Sequence, residues 1–286
     1  MAVATDLDLE LVGPHIAPPS NRAAAFAWRA WNATWPKILA IAIVVGAWQV
    51  AVWSHWKPEY LVPSPFTVFD RILHEPGTYF SASVVTLRRG LQGFVIAMVI
   101  GAVVGIAVAR VKILRAAIGS MITGLQTMPS VAWVPLAIIL FHEGQGTVTF
   151  VVVIGAAPSI ANGIISGIDH VPPLLLRAGR VLGARGIGAL RHVVIPAALP
   201  SVVGGLKQGW AFAWRSLMAA ELIGALSGHL GIAQLLNGFA TQADYTGMFA
   251  AMIAILVIGI LVDSLVFGTI DRAIRRRYGL IDAATI

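Results

Sequence analysis

The sequence predicts an all-α, polytopic integral membrane protein with about six transmembrane helices. Composition is the first reason. Of 286 residues, 58% are hydrophobic and 12% charged, where a soluble protein carries about 25% charged residues. Mean hydropathy is +0.83. Spacing is the second reason. A membrane-crossing helix needs about 20 mainly apolar residues, and such stretches recur near 37–54, 90–110, 117–141, 147–168, 197–223 and 247–270. The third reason is where the cations sit. They flank the apolar stretches and form no patch interleaved with aromatics, so the net charge of +7 reads as membrane orientation, with no nucleic-acid partner.

Residues 1–36 read as a tail, acidic at Asp6, Asp8 and Glu10 and interrupted by Pro14, Pro18 and Pro19. It lacks a basic start leading into a small-residue cleavage site, so no signal peptide is expected. Trp28, Trp31 and Trp35 suit either an interfacial segment with rings at headgroup level or a flexible tail. Residues 37–80 hold the first span and an outer segment. Residues 81–275 form the main transmembrane core, with the loop 171–196 inside it, and 276–286 a second tail. Fourteen of the 20 Lys and Arg residues then fall on the inner side, against Lys57, Arg71, Arg88 and Arg89 on the outer. That bias places both termini in the cytoplasm and the chain in the cell membrane as a multi-pass protein.

The loop is the most informative stretch. VPPLLLRAGRVLGARGIGALRHVVIPAALP, at 171–200, carries Arg177, Arg180, Arg185 and Arg191 and no acid. After Pro172-Pro173 it reads as a short surface helix with Arg177 and Arg180 on one face and Leu175, Ala178 and Leu182 on another. That face ends at Gly183, where the chain must turn and a glycine accepts positive φ without a Cβ penalty. On residues alone, the loop is either a docking element or a basic connector obeying the positive-inside bias.

Arg177, Ala178 and Gly179, then Gly183, then Val193, Ile195 and Pro196 resemble the "EAA" loop of binding-protein-dependent ABC importer permeases. The family pattern is Glu-Ala-Ala, three residues, Gly, nine residues, then Ile-x-Leu-Pro. Arg177 stands at the glutamate and Gly179 at the second alanine. LVPSPFTVFDRIL, SVVTLRRGLQGF, TMPSVAWVPLAIILF and AWRSLMAAELIGALSGHLGIAQLL extend the likeness over about residues 60–280, to the nitrate/sulfonate/taurine branch. The resemblance implies a type I importer permease fold and a cytoplasmic coupling helix that docks on an ATP-binding cassette ATPase. It also implies a second permease copy forming a homodimer, an external solute-binding protein, and ATP with Mg2+ used by the ATPase. The implied solute is an oxyanion such as nitrate, a sulfonate or taurine; another small organic solute such as a pyrimidine is the alternative.

Polar residues inside the spans mark a path for it. Pro129 and Pro135 each remove a backbone donor, and broken helix is tolerated in a membrane where it lines a cavity or packs in protein. Ser130 and Trp133 lie in that interruption, as pathway residues or as part of a packing kink. Pro158, Ser159 and Asn162 make a similar case in the next span. Lys207, Arg215 and Glu221 share the fifth span, where a charge at the bilayer centre costs about 2.5–3.5 kcal/mol. Arg215 and Glu221 are about 240° apart round a helix, so each needs another partner. Arg215 and Glu221 are therefore pathway residues, Arg215 guiding an anion, or members of structural ion pairs. Asp263 is a candidate partner for Lys207 or Arg215. Gly101 with Gly105, and Gly163 with Gly167, match the small-xxx-small spacing of close helix contacts.

Other classes lack their residues. Cysteine is absent, and His142, His170, His192 and His229 show no metal-ligand spacing. No G-x-S-x-G or H-E-x-x-H is present, and no G-x-x-x-x-G-K-[ST], so the chain is expected to be no enzyme, to bind no cofactor and to leave ATP hydrolysis elsewhere. A secondary transporter would show internal repeats and more spans.

Overall fold

The computed structural model describes residues 22–224 and 230–278. Every regular element among them is helical. The helices are α1 (Arg22–Trp53), α2 (Pro65–His74), α3 (Pro76–Arg110), α4 (Lys112–Thr127), α5 (Val134–Phe141), α6 (Gln145–Asp169), α7 (Pro173–Val181), α8 (Ile187–Ala189), α9 (Ile195–Ile223), α10 (Ile232–Thr241), α11 (Tyr245–Val262) and α12 (Gly268–Arg277). A 3-10 turn, Ser130–Trp133, leads into α5, and π-helical turns at Leu190–Val194 and Asp263–Phe267 join α8 to α9 and α11 to α12. Among the described residues, five continuous helices are long and apolar enough to cross a membrane, or six when α4 and the segment 130–141 count as one bent span.

Contacts divide the chain into two units, Met1–Pro65 and Phe66–Ile286. In the first, α1 runs from Arg22, well ahead of the expected start near 37, with Pro36 inside it. Its Trp28, Trp31 and Trp35 are exposed. The Trp48 indole N–H donates to the Pro63 carbonyl at 3.1 Å, folding the segment after the helix back along it.

In the second unit α6 is the hub, packed between α3 and α9, with α4 and α5 also against it. Its buried Val148, Val151, Val152 and Ile160 meet Ala213, Leu217 and Phe94 in one core. Small residues set the helix spacing. A Cβ on Gly101 would stand 2.8 Å from the Ala157 carbonyl oxygen, and one on Gly105 2.9 Å from that of Ala161. On the far side of α6, Gly163 faces Gly205 backbone to backbone and Gly167 lies against Ala198. Both sequence-marked pairs thus sit at real crossings, because only a missing Cβ lets two backbones approach this far.

Three expected boundaries move. α3 begins at Pro76, not 90, because Pro76 suits the first helical turn and no breaker follows before Val111. The third span is two pieces bent by 106° at Met128–Pro129. The fifth begins at Ile187, because α8, the π turn and α9 run on without a break.

Gly163→Leu is expected to force the α6–α9 crossing apart at a cost of about 1–3 kcal/mol. Gly119→Leu, with open space around the added side chain, should be silent. Comparing the yield of monodisperse protein in detergent checks the pair; equal yields would contradict the close crossing.

Candidate functional site

α4 ends at Thr127, and Met128 and Pro129 continue in extended conformation, with ψ of 131° and 126°. The chain then winds through the 3-10 turn. Pro129 has no N–H to extend α4, so the helix stops here and a recess opens. It has a volume of about 350 Å3 and takes Gln126, Thr127, Ser130, Trp133, Phe212 and Arg215 in its wall. Three of the four sequence-marked pathway residues, Ser130, Trp133 and Arg215, are brought together.

Arg215 is exposed, and its guanidinium carbon lies 5.1 Å from the Phe212 ring centroid. No carboxylate pairs with it among the described residues. Cation–π contact leaves the N–H donors of the guanidinium available. The recess wall is fixed from α6. The Asn162 amide donates to Gln126 Oε1 at 3.0 Å, and Gln126 Nε2 donates to Ser159 Oγ at 3.0 Å. Ser159 and Asn162, beside Pro158, therefore hold the wall in place. A second recess, about 260 Å3 and lined by apolar residues such as Ile122, Phe150 and Pro158, offers no group to hold an ion.

Glu221 is placed elsewhere. Its side chain is fully buried, and its carboxylate accepts from Arg89 Nη1 at 3.0 Å and from Thr86 Oγ1 at 2.8 Å. Arg89 also donates to Gln234 Oε1 at 3.0 Å, and Thr86 Oγ1 accepts the Ile232 N–H at 2.8 Å. A Cβ on Gly231 would collide with the Glu221 carboxylate. The pathway role expected for Glu221 gives way to the structural ion pair, because its side chain is fully buried and both carboxylate oxygens are committed. Arg89 also leaves the outer loop where the sequence places it, for a buried position on α3. Lys207 meets Asp263, Nζ to Oδ1, at 3.3 Å. The sequence-based reading missed Thr86, Arg89, Gln126 and Gln234; for Thr86 and Arg89 a polar side chain more than two turns inside α3 was the available signal, whereas Gln126 and Gln234 sit at helix ends, where a polar residue is ordinary.

The loop forms a second feature. α7 closes with a Schellman motif: the Gly183 N–H donates to the Arg180 carbonyl at 3.1 Å and the Ala184 N–H to the Gly179 carbonyl at 2.8 Å. Gly183, at the residue after the cap, has φ +83°, and Gly186 has φ +54°. Gly183 takes the left-handed conformation this motif requires. Gly179 is buried, and a Cβ there would stand 2.7 Å from Val193 Cγ2, so α7 and the π turn touch at that point. The apolar face turns outward. Leu174, Leu175, Ala178, Val181 and Leu182 span about 120° of α7 and are exposed, Val181 and Leu182 by 88% and 86%. That face is uncovered within this chain, and Leu176 and Gly179 turn inward instead. Arg177 is exposed beside it, and Ile195 and Pro196 begin α9.

The family model of the binding-protein-dependent transport system inner membrane component matches residues 97–276, more than half the chain. The chain belongs to this family. It is 29% identical over 237 residues to a putative ABC transporter permease of Methanocaldococcus jannaschii, covering 79% of this chain and 88% of that one. It is 32% identical over 187 residues to the bicarbonate transport system permease of Synechococcus elongatus, covering 65% and 66%. To the taurine transport system permease of Escherichia coli it is 27% identical over 260 residues, covering 85% and 90%. These likenesses place it in the nitrate/sulfonate/taurine branch of the importer permeases. Its relatives are transport permease subunits. Among solved structures, a chain of the inward-facing methionine ABC transporter MetNI superposes with TM-score 0.55 at 21% identity, covering 66% of this chain and 92% of that one. A chain of an amino acid ABC transporter with histidines superposes with TM-score 0.57 at 19% identity, covering 73% and 98%. The fold is that of an ABC importer permease.

Removing one member of a buried pair leaves an uncompensated charge and costs about 3–5 kcal/mol. Glu221→Ala is therefore expected to lower the unfolding midpoint of the detergent-solubilised permease more than Glu221→Ala combined with Arg89→Met. Thermal unfolding of the three proteins decides it, and a double variant no better than the single one would contradict the pairing.

Proposed function

We propose that this permease carries a small anion inward through the cell membrane, driven by ATP-binding cassette ATPase subunits that dock on α7. The observation that carries the reading is the uncovered apolar face of α7, closed by the Gly183 turn, on a loop of one charge sign. Five apolar side chains on one exposed helical face fit a partner groove. ATP and Mg2+ belong to the ATPase subunits. An external solute-binding protein delivers the solute, and a second copy of this chain completes the membrane part. Both termini and the α7 loop lie in the cytoplasm, in keeping with the positive-inside bias.

Arg215 supports the solute class. An exposed guanidinium on a membrane-spanning helix, with no carboxylate partner among the described residues, attracts an anion into the recess. The solutes named for two relatives, bicarbonate and taurine, each carry an anionic oxygen group. Ser130 and Thr127 add hydroxyls that donate to such oxygens, and Trp133 gives the recess an aromatic wall.

Gly183→Leu should break coupling. The site has open space within this chain but φ of +83°, which costs an L residue about 1 kcal/mol or more, and the new side chain stands where a partner would approach. The variant is expected in the membrane at normal level without co-purifying ATPase and without uptake. Retained binding and wild-type uptake would reduce the loop to a connector.

Arg215→Gln should reduce uptake of taurine or bicarbonate about tenfold or more, the loss of one charge-assisted contact, with expression and ATPase binding intact. Unchanged uptake of whichever anion the wild type carries would exclude the guiding role.

A further inference from the structure

The exposed side of α9 extends beyond the recess. Gly204, Lys207, Gln208 and Arg215 are exposed and Ala211 half-buried. At 100° per residue these five positions fall within an arc of about 100°, over a rise of about 16 Å. The rest of the helix there packs inward through Val203, Gly209, Trp210 and Ala213. Lys207 lies near the middle of the continuous helix Ile187–Ile223. A helix stripe at that depth carrying an ammonium, an amide and a guanidinium is unsuited to lipid, because each polar group would lose its hydration without replacement. The exposed side of α3, with Val95, Val99 and Val103, is wholly apolar by contrast. The two surfaces suit different media.

The Lys207–Asp263 pair fits a wet surface. Both side chains are about half exposed, at 48% and 53%, and Asp263 opens the π-helical turn Asp263–Phe267. Gln208 has no hydrogen-bond partner among the described residues. Lys207 stands about 12 Å along the helix from Arg215, toward α7. We propose that this stripe is the wall of an aqueous anion path, in which Lys207 and Gln208 form a second anion contact after Arg215. The proposal rests on the anion-permease reading and extends it to the specificity of the path. Asp263 holds Lys207 until an anion takes its place, and afterwards repels that anion onward. A bare lysine in this setting would trap an anion; transport requires sites that bind well enough to admit the ion and weakly enough to release it.

The chain has no cysteine, so one introduced thiol reports alone. Gly204→Cys, Gln208→Cys and Ala211→Cys are compared with Val99→Cys on α3 in the full importer in membrane vesicles. The probes are anionic sulfonatoethyl methanethiosulfonate and its cationic trimethylammonioethyl counterpart. The three α9 positions should react and Val99→Cys should not. At Gln208→Cys the anionic reagent should be favoured about tenfold, relative to a free thiol. Adding Lys207→Gln should lower that preference, and adding Asp263→Asn, which releases Lys207, should raise it. Unreactive α9 thiols in normally expressed protein, or labelling equal to that at Val99→Cys, would overturn the aqueous path. Labelling without anion preference, or a preference unmoved by Asp263→Asn, would overturn the contact at Lys207. Labelling reads water and charge without transport, so these results are separate from loss of the anion reading, which appears as absence of anion uptake by the wild type.

Discussion

An ionised side chain inside a bilayer has to find an opposite charge, hydrogen bonds or water, since hydrocarbon supplies none of them. That constraint sorts the charges of this permease by their surroundings. Glu221 and Arg89 are sealed from solvent and saturated by Thr86 and Gln234, so they join α3, α9 and the start of α10. Lys207 and Asp263 are paired but half open. Arg215 is open and rests on a ring. The sequence runs from closed to available, and availability is what an anion needs.

Backbone irregularity falls in the same places. A spanning helix satisfies its own N–H and C=O groups, so a break is tolerated only where protein or water replaces them. The 106° bend at Met128–Pro129 opens the Arg215 recess. One π turn carries Asp263, and the other meets α7 through Val193. Single π turns often accompany functional positions. Each irregularity here puts a named side chain where a regular helix would not.

Much of this was legible in the sequence, for physical reasons. Hydropathy runs located the spans because length and apolarity are what a bilayer demands. The glycine pairs matched the spacing of close contacts without fixing an interface, and the structure puts both at crossings; the end of an apolar face at Gly183 located a turn with positive φ. The 240° separation rightly denied Arg215 and Glu221 to each other and left Asp263 for Lys207. Two features were hidden. Arg88-Arg89 reads as the edge of a loop, and nothing local shows that α3 continues through it and buries Arg89. The apolar period of α7 shows that one side is apolar but not what covers it, and Leu175 and Leu182 are exposed within this chain. Both features concern partners distant in sequence, about which periodicity carries no information.

The proposed coupling has a direct mechanical route. Gly179 lets Val193 press against α7, and Val193 belongs to the same unbroken helix as Lys207 and Arg215. About four turns separate Val193 from Lys207, with no loop between them to absorb a displacement. The closest backbone contact along this stretch, Gly205 against Gly163, lies between Val193 and Arg215. Neither helix carries a side chain at that point, and one turn on the Ile160 side chain of α6 sits against Gly209. The far end of α9 is tied to α3 by Glu221 and Arg89. A rigid α9 that swings about this tie displaces Lys207, about 21 Å from Glu221, more than Arg215, about 9 Å from it. A push on α7 that reaches Val193 therefore re-aims the Lys207 end of the stripe further than the recess at Arg215, with no break in the helix between them.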